Sequence, residues 1–267
     1  MATPCFYHSE LSEQDKLIEL SSSESAHLSK SRRLKPGDQV HLINGKGLMA
    51  MAEVVAKGVA KGVAKGVAKG VAKGVLANNK QVQIQCSDFV IAERPLAQIS
   101  VATAIPKGDR AKVMVDMLTQ LGVDRIFPMR CDYSETRFNE KNREKWQRVA
   151  IEACKQSQNP WLPQIESEWD FKSLISDLDK LSKDRNKNNG ALPQVIYTDI
   201  SGADANKLEE LDSELIVMIG PEGGFSNSEL AALKSINALS VCLGQHILRT
   251  ELAAIAAVAQ LRAIAKL

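Results

Sequence analysis

From about residue 97 onward, strand-like apolar runs alternate with helical stretches, and this alternation constrains the fold more than any other feature. The runs are "QISVATAI" (98–105), "RIFPM" (125–129), "QVIYTD" (194–199), "LIVMIG" (215–220) and "LSVCLG" (239–244). Between them, residues 141–157 place Trp146, Val149, Ala150, Ala153 and Cys154 on one face at helical spacing, and Pro160 ends the segment. Such alternation predicts an α/β fold, a mostly parallel sheet covered by helices. The polar stretch "SKDRNKNNG" (182–190) is expected to be a surface loop.

The first ninety residues follow another pattern. Val40 to Ile43 alternate, Asn44-Gly45 is a hairpin signal, and a second strand runs to Val55. "QVQIQCSDFVI" (81–91) alternates again at Val82, Ile84 and Cys86. Short strands with tight turns suggest a small β-barrel. The sequence therefore divides into residues 1–94 and 95–267, with the boundary beside Pro95.

Five identical Val-Ala-Lys-Gly tetrads occupy Val55 to Gly74. A helix there would carry five interior glycines, each costing roughly 0.8–1 kcal/mol relative to Ala. A strand would put Ala and Gly on one face, a poor surface for packing. An expanded, solvated hairpin tip is the expectation, and a lysine-rich arm touching RNA phosphates is the functional alternative.

Charge excludes little. The net charge is +2, but residues 1–90 carry 12 Lys and Arg against 8 Asp and Glu, and the remainder 22 against 24. A basic front suits a phosphate-rich partner, although five of the 12 lie in the tetrads. The cysteines, Cys5, Cys86, Cys131, Cys154 and Cys242, are odd in number and form no CxxC pair. That pattern fits reduced thiols in the cytoplasm and points away from a disulfide framework or a metal site. "MATPCFYHSELSEQ" lacks a basic start followed by an apolar core, so no secretory leader is expected. The longest apolar segment, "LAAIAAVA", is too short to span a membrane.

Two strand ends carry chemistry. "IGPEGG" (219–224) runs into Ser226-Asn227-Ser228-Glu229, a capping box that opens a helix. The loop lacks Gly-Lys-Ser/Thr and G-x-G-x-x-G, and Glu222 would repel a pyrophosphate, so a phosphate cradle is a poor fit. A backbone-lined pocket for a neutral or cationic ligand suits it better. The second strand ends at Leu243-Gly244, after which Arg249-Thr250-Glu251 open an Ala-rich helix that is apolar nearly all round, as expected for burial on more than one side. Arg249 and Glu251 there are either a structural ion pair or site residues, and spacing leaves both readings open.

Taken in this order, "IGPEGGFSNSEL" and "LGQHILRTELAAIAA" resemble the RsmE/YggJ family of 16S rRNA (uracil-N3) methyltransferases, within the SPOUT (α/β-knot) superfamily. "HLSKSRRLKPGDQVHLINGKG" is similar to the family's PUA-like RNA-binding barrel, and "IPKGDRAKVMVDMLTQLGVDRIFPM" and "EACKQSQNPWLPQI" to its middle elements. The resemblance implies a trefoil-knotted domain, a homodimer, 16S rRNA in the 30S subunit as partner, and S-adenosylmethionine as cofactor without a metal. It assigns the cofactor to loops holding Thr198, Ile219, Gly220, Pro221, Glu222, Gly223, Gly224, Leu243, Gly244, Ile247, Leu248 and Arg249. Arg249 is then the expected electrostatic stabiliser or orienter of the base, and Glu251 either accepts the N3 proton or orients Arg249. Arg32, Arg33 and Lys35 are candidate phosphate contacts.

The chain departs from the family pattern at His246, Leu252, Met117 and Gln120, and it lacks an Arg near Asn159–Trp161. These polar losses keep alternatives in view. One is a non-catalytic rRNA-binding assembly factor on the same fold, and another is a knotted methyltransferase with a different RNA target.

Overall fold

A computed structural model describes residues 3–57, 81–188, 193–204, 208 and 211–265. Two units partition the chain: Met1–Glu93 with Lys155–Trp161, and Arg94–Cys154 with Leu162–Leu267. The first therefore takes in a short segment from far along the sequence, beyond the expected 94/95 boundary.

The first unit contains β1 (Cys5–Tyr7), β2 (Leu17–Glu19), α1 (Ser22–Ala26), β3 (Gln39–Ile43), β4 (Leu48–Lys57) and β5 (Val82–Ile91). Its sheet runs β1-β3-β4-β5-β2, with β1 parallel to β3 and the other pairs antiparallel. This is a curled half-barrel with β1 and β2 at open edges, where the sequence suggested a small barrel. Period-two alternation buries Val82, Ile84 and Cys86 with Phe6, Leu42 and Val54. The Asn44 turn closes because its Oδ1 accepts from the amides of Lys46 (2.7 Å) and Leu48 (3.1 Å). The Trp161 ring covers Gly47, where φ is +95° and a Cβ would stand 2.3 Å from the indole. Lys155 Nζ lies 2.7 Å from Glu24 Oε1, both side chains buried. Of the tetrads, Val55–Lys57 complete β4, and residues 58–74 lie outside the described residues.

The second unit contains β6 (Gln98–Thr103), α2 (Arg110–Gln120), β7 (Arg125–Arg130) and α3 (Glu140–Ser157), whose residues from Lys155 belong to the first unit. It continues with β8 (Gln164–Ile165), β9 (Trp169–Asp170), α4 (Phe171–Asn188), β10 (Gln194–Asp204), β11 (Glu214–Ile219), α5 (Asn227–Ser235), β12 (Leu239–Cys242) and α6 (Thr250–Ile264). Every pair in the sheet is parallel, in the order β12-β10-β11-β6-β7-β8, with β9 also pairing β7. Adjacent residues of β6 serve opposite faces. Val101 joins Met114, Leu118, Trp146, Ala254 and Val258 on one side, while Ala102 joins Phe127, Phe171, Leu174 and Leu233 on the other. Burying each large apolar side chain contributes about 1.5–3 kcal/mol. Arg262, buried near the end of α6, donates to the carbonyls of Ala97, Leu121 and Gly122 and so pins that helix to the turn after α2.

One expectation is corrected here. Residues 182–188 continue α4 instead of forming a loop, because no glycine or proline interrupts them before Gly190. In α6 the buried arc is broad, packing on α2 as well as on β6 and β11, in keeping with its apolar composition. A narrow stripe that includes Leu252, 49% exposed, and Ala259 stays open. No helix among the described residues is long and apolar enough to cross a membrane.

Candidate active site

Three neighbouring strands, β12, β10 and β11, end on the same side of the sheet, and their outgoing loops enclose one cavity. Loops leaving the carboxyl ends of parallel strands are where such sheets bind ligands. In β10 the pairing with β12 slips: Val241 is opposite Thr198 and again opposite Ala203. The extra residues bulge outward, and Asp199 Oδ1 fixes them by accepting from the Ser201 amide at 2.7 Å. Gly202 is needed there, because a Cβ would lie 2.7 Å from the Val241 backbone.

After β11, the chain turns through Gly220-Pro221-Glu222-Gly223-Gly224, with φ +74° at Gly224. It then enters α5 through the expected capping box between Ser226 and Glu229. A second tie holds this loop from outside. Ser226 Oγ donates to Asp132 Oδ2 (2.6 Å), and Glu229 Oε1 accepts from the Asp132 amide (2.8 Å). The third loop leaves β12 at Leu243 and Gly244 and leads to α6. Thr250 Oγ1 donates to the Gly220 carbonyl (3.4 Å), and Gln260 Nε2 to the Leu243 carbonyl (3.4 Å), so side chains of α6 hold the second and third loops.

The cavity measures about 310 Å³, at the lower end of small-molecule sites. Thr198, Ile219, Gly220, Pro221, Glu222, Gly223, Gly224, Leu243, Gly244, Ile247 and Leu248 all line it, together with the departure residue His246. Ile247 does so from an 84% exposed position at the rim. Asp199, Ile200, Phe225, Val241, Cys242, Thr250 and Ala253 line it as well. Asp199 and Ile200 were within reach of sequence reasoning, as the residues following Thr198 at a strand end. The lining holds two acidic side chains, Asp199 and Glu222, and no Lys or Arg. Such a wall favours a cationic or neutral ligand and disfavours phosphate.

Arg249 is not among the lining residues. It is exposed at the N-cap of α6, makes no capping hydrogen bond through its side chain, and has no ion pair among the described residues. Glu251 is buried, its Oε2 has no hydrogen-bond partner, and its nearest cation is Arg110 Nη1 at 3.9 Å. The suggestion that Glu251 orients Arg249 therefore fails: Glu251 faces Arg110. The same Arg110 Nη1 is 3.4 Å from Glu222 Oε1. Nothing local in "KGDRAK" marks Arg110, since its partners lie far along the sequence, in the loop after β11 and in the first turn of α6. In the first unit, Arg32, Arg33 and Lys35 are all exposed, and Arg33 has φ +55°. Met117 and Gln120 are exposed on α2. Among the described residues, no group of three or more His, Cys, Asp or Glu could hold a metal ion.

Fold and site define an α/β domain that takes a small non-phosphate ligand in backbone loops at the carboxyl ends of parallel strands. Residues 92–262 match the family model for the RNA methyltransferase domain. Ribosomal RNA small subunit methyltransferase E of Rickettsia conorii is 30% identical, covering 96% of this chain and 93% of that one. The Mycobacterium bovis protein of the same name is 24% identical over 95% and 89%. Two solved structures show the same fold at 22% identity, each covering 98% of both chains. One is a ribosomal RNA small subunit methyltransferase E from Neisseria gonorrhoeae bound to S-adenosyl methionine, with a TM-score of 0.79. The other is a Legionella pneumophila protein in complex with the cofactor SAM, with a TM-score of 0.76. This chain belongs to the ribosomal RNA small subunit methyltransferase E family.

Proposed function

We propose that this protein is an S-adenosylmethionine-dependent methyltransferase that acts on N3 of a uridine in 16S rRNA of the 30S subunit. The observation that carries this reading is the cavity itself: three backbone loops, two carboxylates and no lysine or arginine, in a chain of this family. The fit to the cofactor is chemical. Gly220, Gly223 and Gly224 leave bare main chain in the cavity wall, and a Cβ on Gly220 would press on its own loop, at Gly224 and the Phe225 ring, at 3.3 Å. The glycine backbone can thus approach adenosine, and Asp199 and Glu222 suit the positive end of the ligand.

When bound, S-adenosylmethionine would supply a sulfonium methyl group open to attack by a nitrogen nucleophile, with the neutral thioether as the leaving group. Uracil N3 carries a proton at neutral pH, so the protein must accept that proton and steady the resulting anion. Glu251, buried with an unbonded Oε2, is assigned as the acceptor. Arg249, exposed at the positive N-terminus of α6, is assigned to the anion as a planar, permanently charged fork. No metal is required.

Residues 1–94 then serve as the PUA-like RNA-binding unit, with Arg32, Arg33 and Lys35 on phosphates, and 95–267 as the knotted SPOUT unit. A homodimer is part of the reading. Val113, Met117, Ile247 and Leu252 are exposed apolar side chains on α2, on α6 and in the loop before α6, and a second copy would cover them. A cytoplasmic location follows from the substrate. Tritiated methyl transfer onto unmodified 30S subunits, followed by base analysis, tests the proposal. Arg249→Ala is expected to lower turnover about a hundredfold while cofactor affinity changes little. Wild-type protein that binds cofactor and subunit but transfers no methyl would overturn it in favour of an assembly factor.

A further inference from the structure

Arg110 bridges two carboxylates from separate elements, Glu222 in the loop after β11 and Glu251 in the first turn of α6. It opens α2 after Gly108, whose φ of +64° turns the chain, and its Nε donates to the Lys107 carbonyl at 3.3 Å. Its Nη1 lies 3.4 Å from Glu222 Oε1 and 3.9 Å from Glu251 Oε2. Glu222 lines the cavity. Glu251 adjoins Thr250, which lines the cavity and donates to the Gly220 carbonyl. The neighbouring Lys107 is engaged by Glu135. Arg110 is therefore the cation that offsets both carboxylates beside a cavity with no Lys or Arg in its wall.

We propose that Arg110 is a specificity-determining residue that sets how strongly the cavity prefers the cationic cofactor to the neutral thioether product. This rests on the proposed S-adenosylmethionine chemistry and deepens it. Methyl transfer removes the positive charge from sulfur. A strongly negative cavity would therefore stabilise the ground state more than the transition state, which lowers turnover. By neutralising one of two adjacent negative charges, Arg110 limits that effect. It also keeps the Glu222 carboxylate drawn toward α2.

The test is calorimetry on the full chain with S-adenosylmethionine and S-adenosylhomocysteine, comparing wild type, Arg110→Gln, Arg110→Lys and Glu222→Gln. In Arg110→Gln the affinity ratio of cofactor to product is expected to rise about threefold or more at low salt, the size of one uncompensated charge several ångströms away. Arg110→Lys keeps the charge and should keep the wild-type ratio, whereas Glu222→Gln should lower it. In steady state, Arg110→Gln should lower KM for the cofactor together with kcat, a combination that a loosened site does not give. An equal loss of affinity for both ligands, or an unchanged ratio, would overturn this inference alone. A wild-type protein that binds neither ligand would overturn the proposed function and this inference with it.

Discussion

Gly202→Ala is the substitution whose effect on the site can be worked most directly from the structure. An added methyl group would stand 2.7 Å from both the backbone N and the carbonyl carbon of Val241, and 2.8 Å from Ser240 Oγ. Carbon contacts settle near 3.5 Å, so the β10 bulge and β12 must separate by about 0.8 Å. Backbone atoms cannot rotate out of the way as a side chain can. Overpacking of this kind costs about 1–3 kcal/mol, which should lower the melting temperature by about 2–10 °C. Both sides of the separation line the cavity, Asp199 and Ile200 on the bulge and Val241, Cys242 and Leu243 on and after β12. A gap of roughly 0.5–1 Å forfeits a quarter to a half of each contact's attraction, so affinity for S-adenosylmethionine should fall about tenfold. Calorimetry and thermal unfolding measure the two effects. Ser201→Ala is the control, because it removes a hydroxyl from the same bulge and leaves the amide bond to Asp199 in place. A Gly202→Ala protein with wild-type affinity and wild-type melting would refute the reasoning.

Lys155→Met should destabilise the protein by about 3–5 kcal/mol in urea unfolding, since it strands the buried Glu24 carboxylate, and adding Glu24→Gln should recover most of the loss. Equal losses in the single and double variants would show that the ion pair is not the cause. Burial pushes the Cys5 thiol up to about 12 and the Cys86 thiol to about 11, and it raises Cys131 too. A raised pKa keeps each thiol protonated at pH 8, so iodoacetamide should label Cys242 first, the one cysteine of the five that is not buried. Because Cys242 lines the cavity, S-adenosylmethionine should slow that labelling, and peptide mass mapping would detect the protection or its absence.

Much of this was legible because its causes are local. Apolar runs gave the five long strands of the parallel sheet, and the Ser226 capping box lies in four consecutive residues. Two of the three cavity loops were legible from glycines at strand ends, Gly224 and Gly244 among them at positive φ, whereas the Thr198 loop was implied by the family resemblance alone. The carboxylate partnerships were not. Arg249 and Glu251 are two residues apart at a helix start, and side chains at that spacing do not face each other, so adjacency in sequence suggested a pair that the helix separates. Arg110 and Asp132 reach the site through contacts that only the folded sheet creates. The α4 extension was missed because polar composition says where water is, not whether the backbone is helical.

The return of Lys155–Trp161 to the first unit bears on how such a protein can change over evolutionary time. The stretch matched by the RNA methyltransferase domain model, residues 92–262, includes this segment, so the span of that domain is not the span of the folded unit. A module joined at one point can be lost or exchanged by a single recombination. Here the polypeptide passes from one unit to the other three times, and a transplanted N-terminal unit would arrive without Trp161 for Gly47 and without Lys155 for Glu24. Substitutions in residues 155–161 should therefore be answered by changes in the first ninety residues rather than in the cofactor loops.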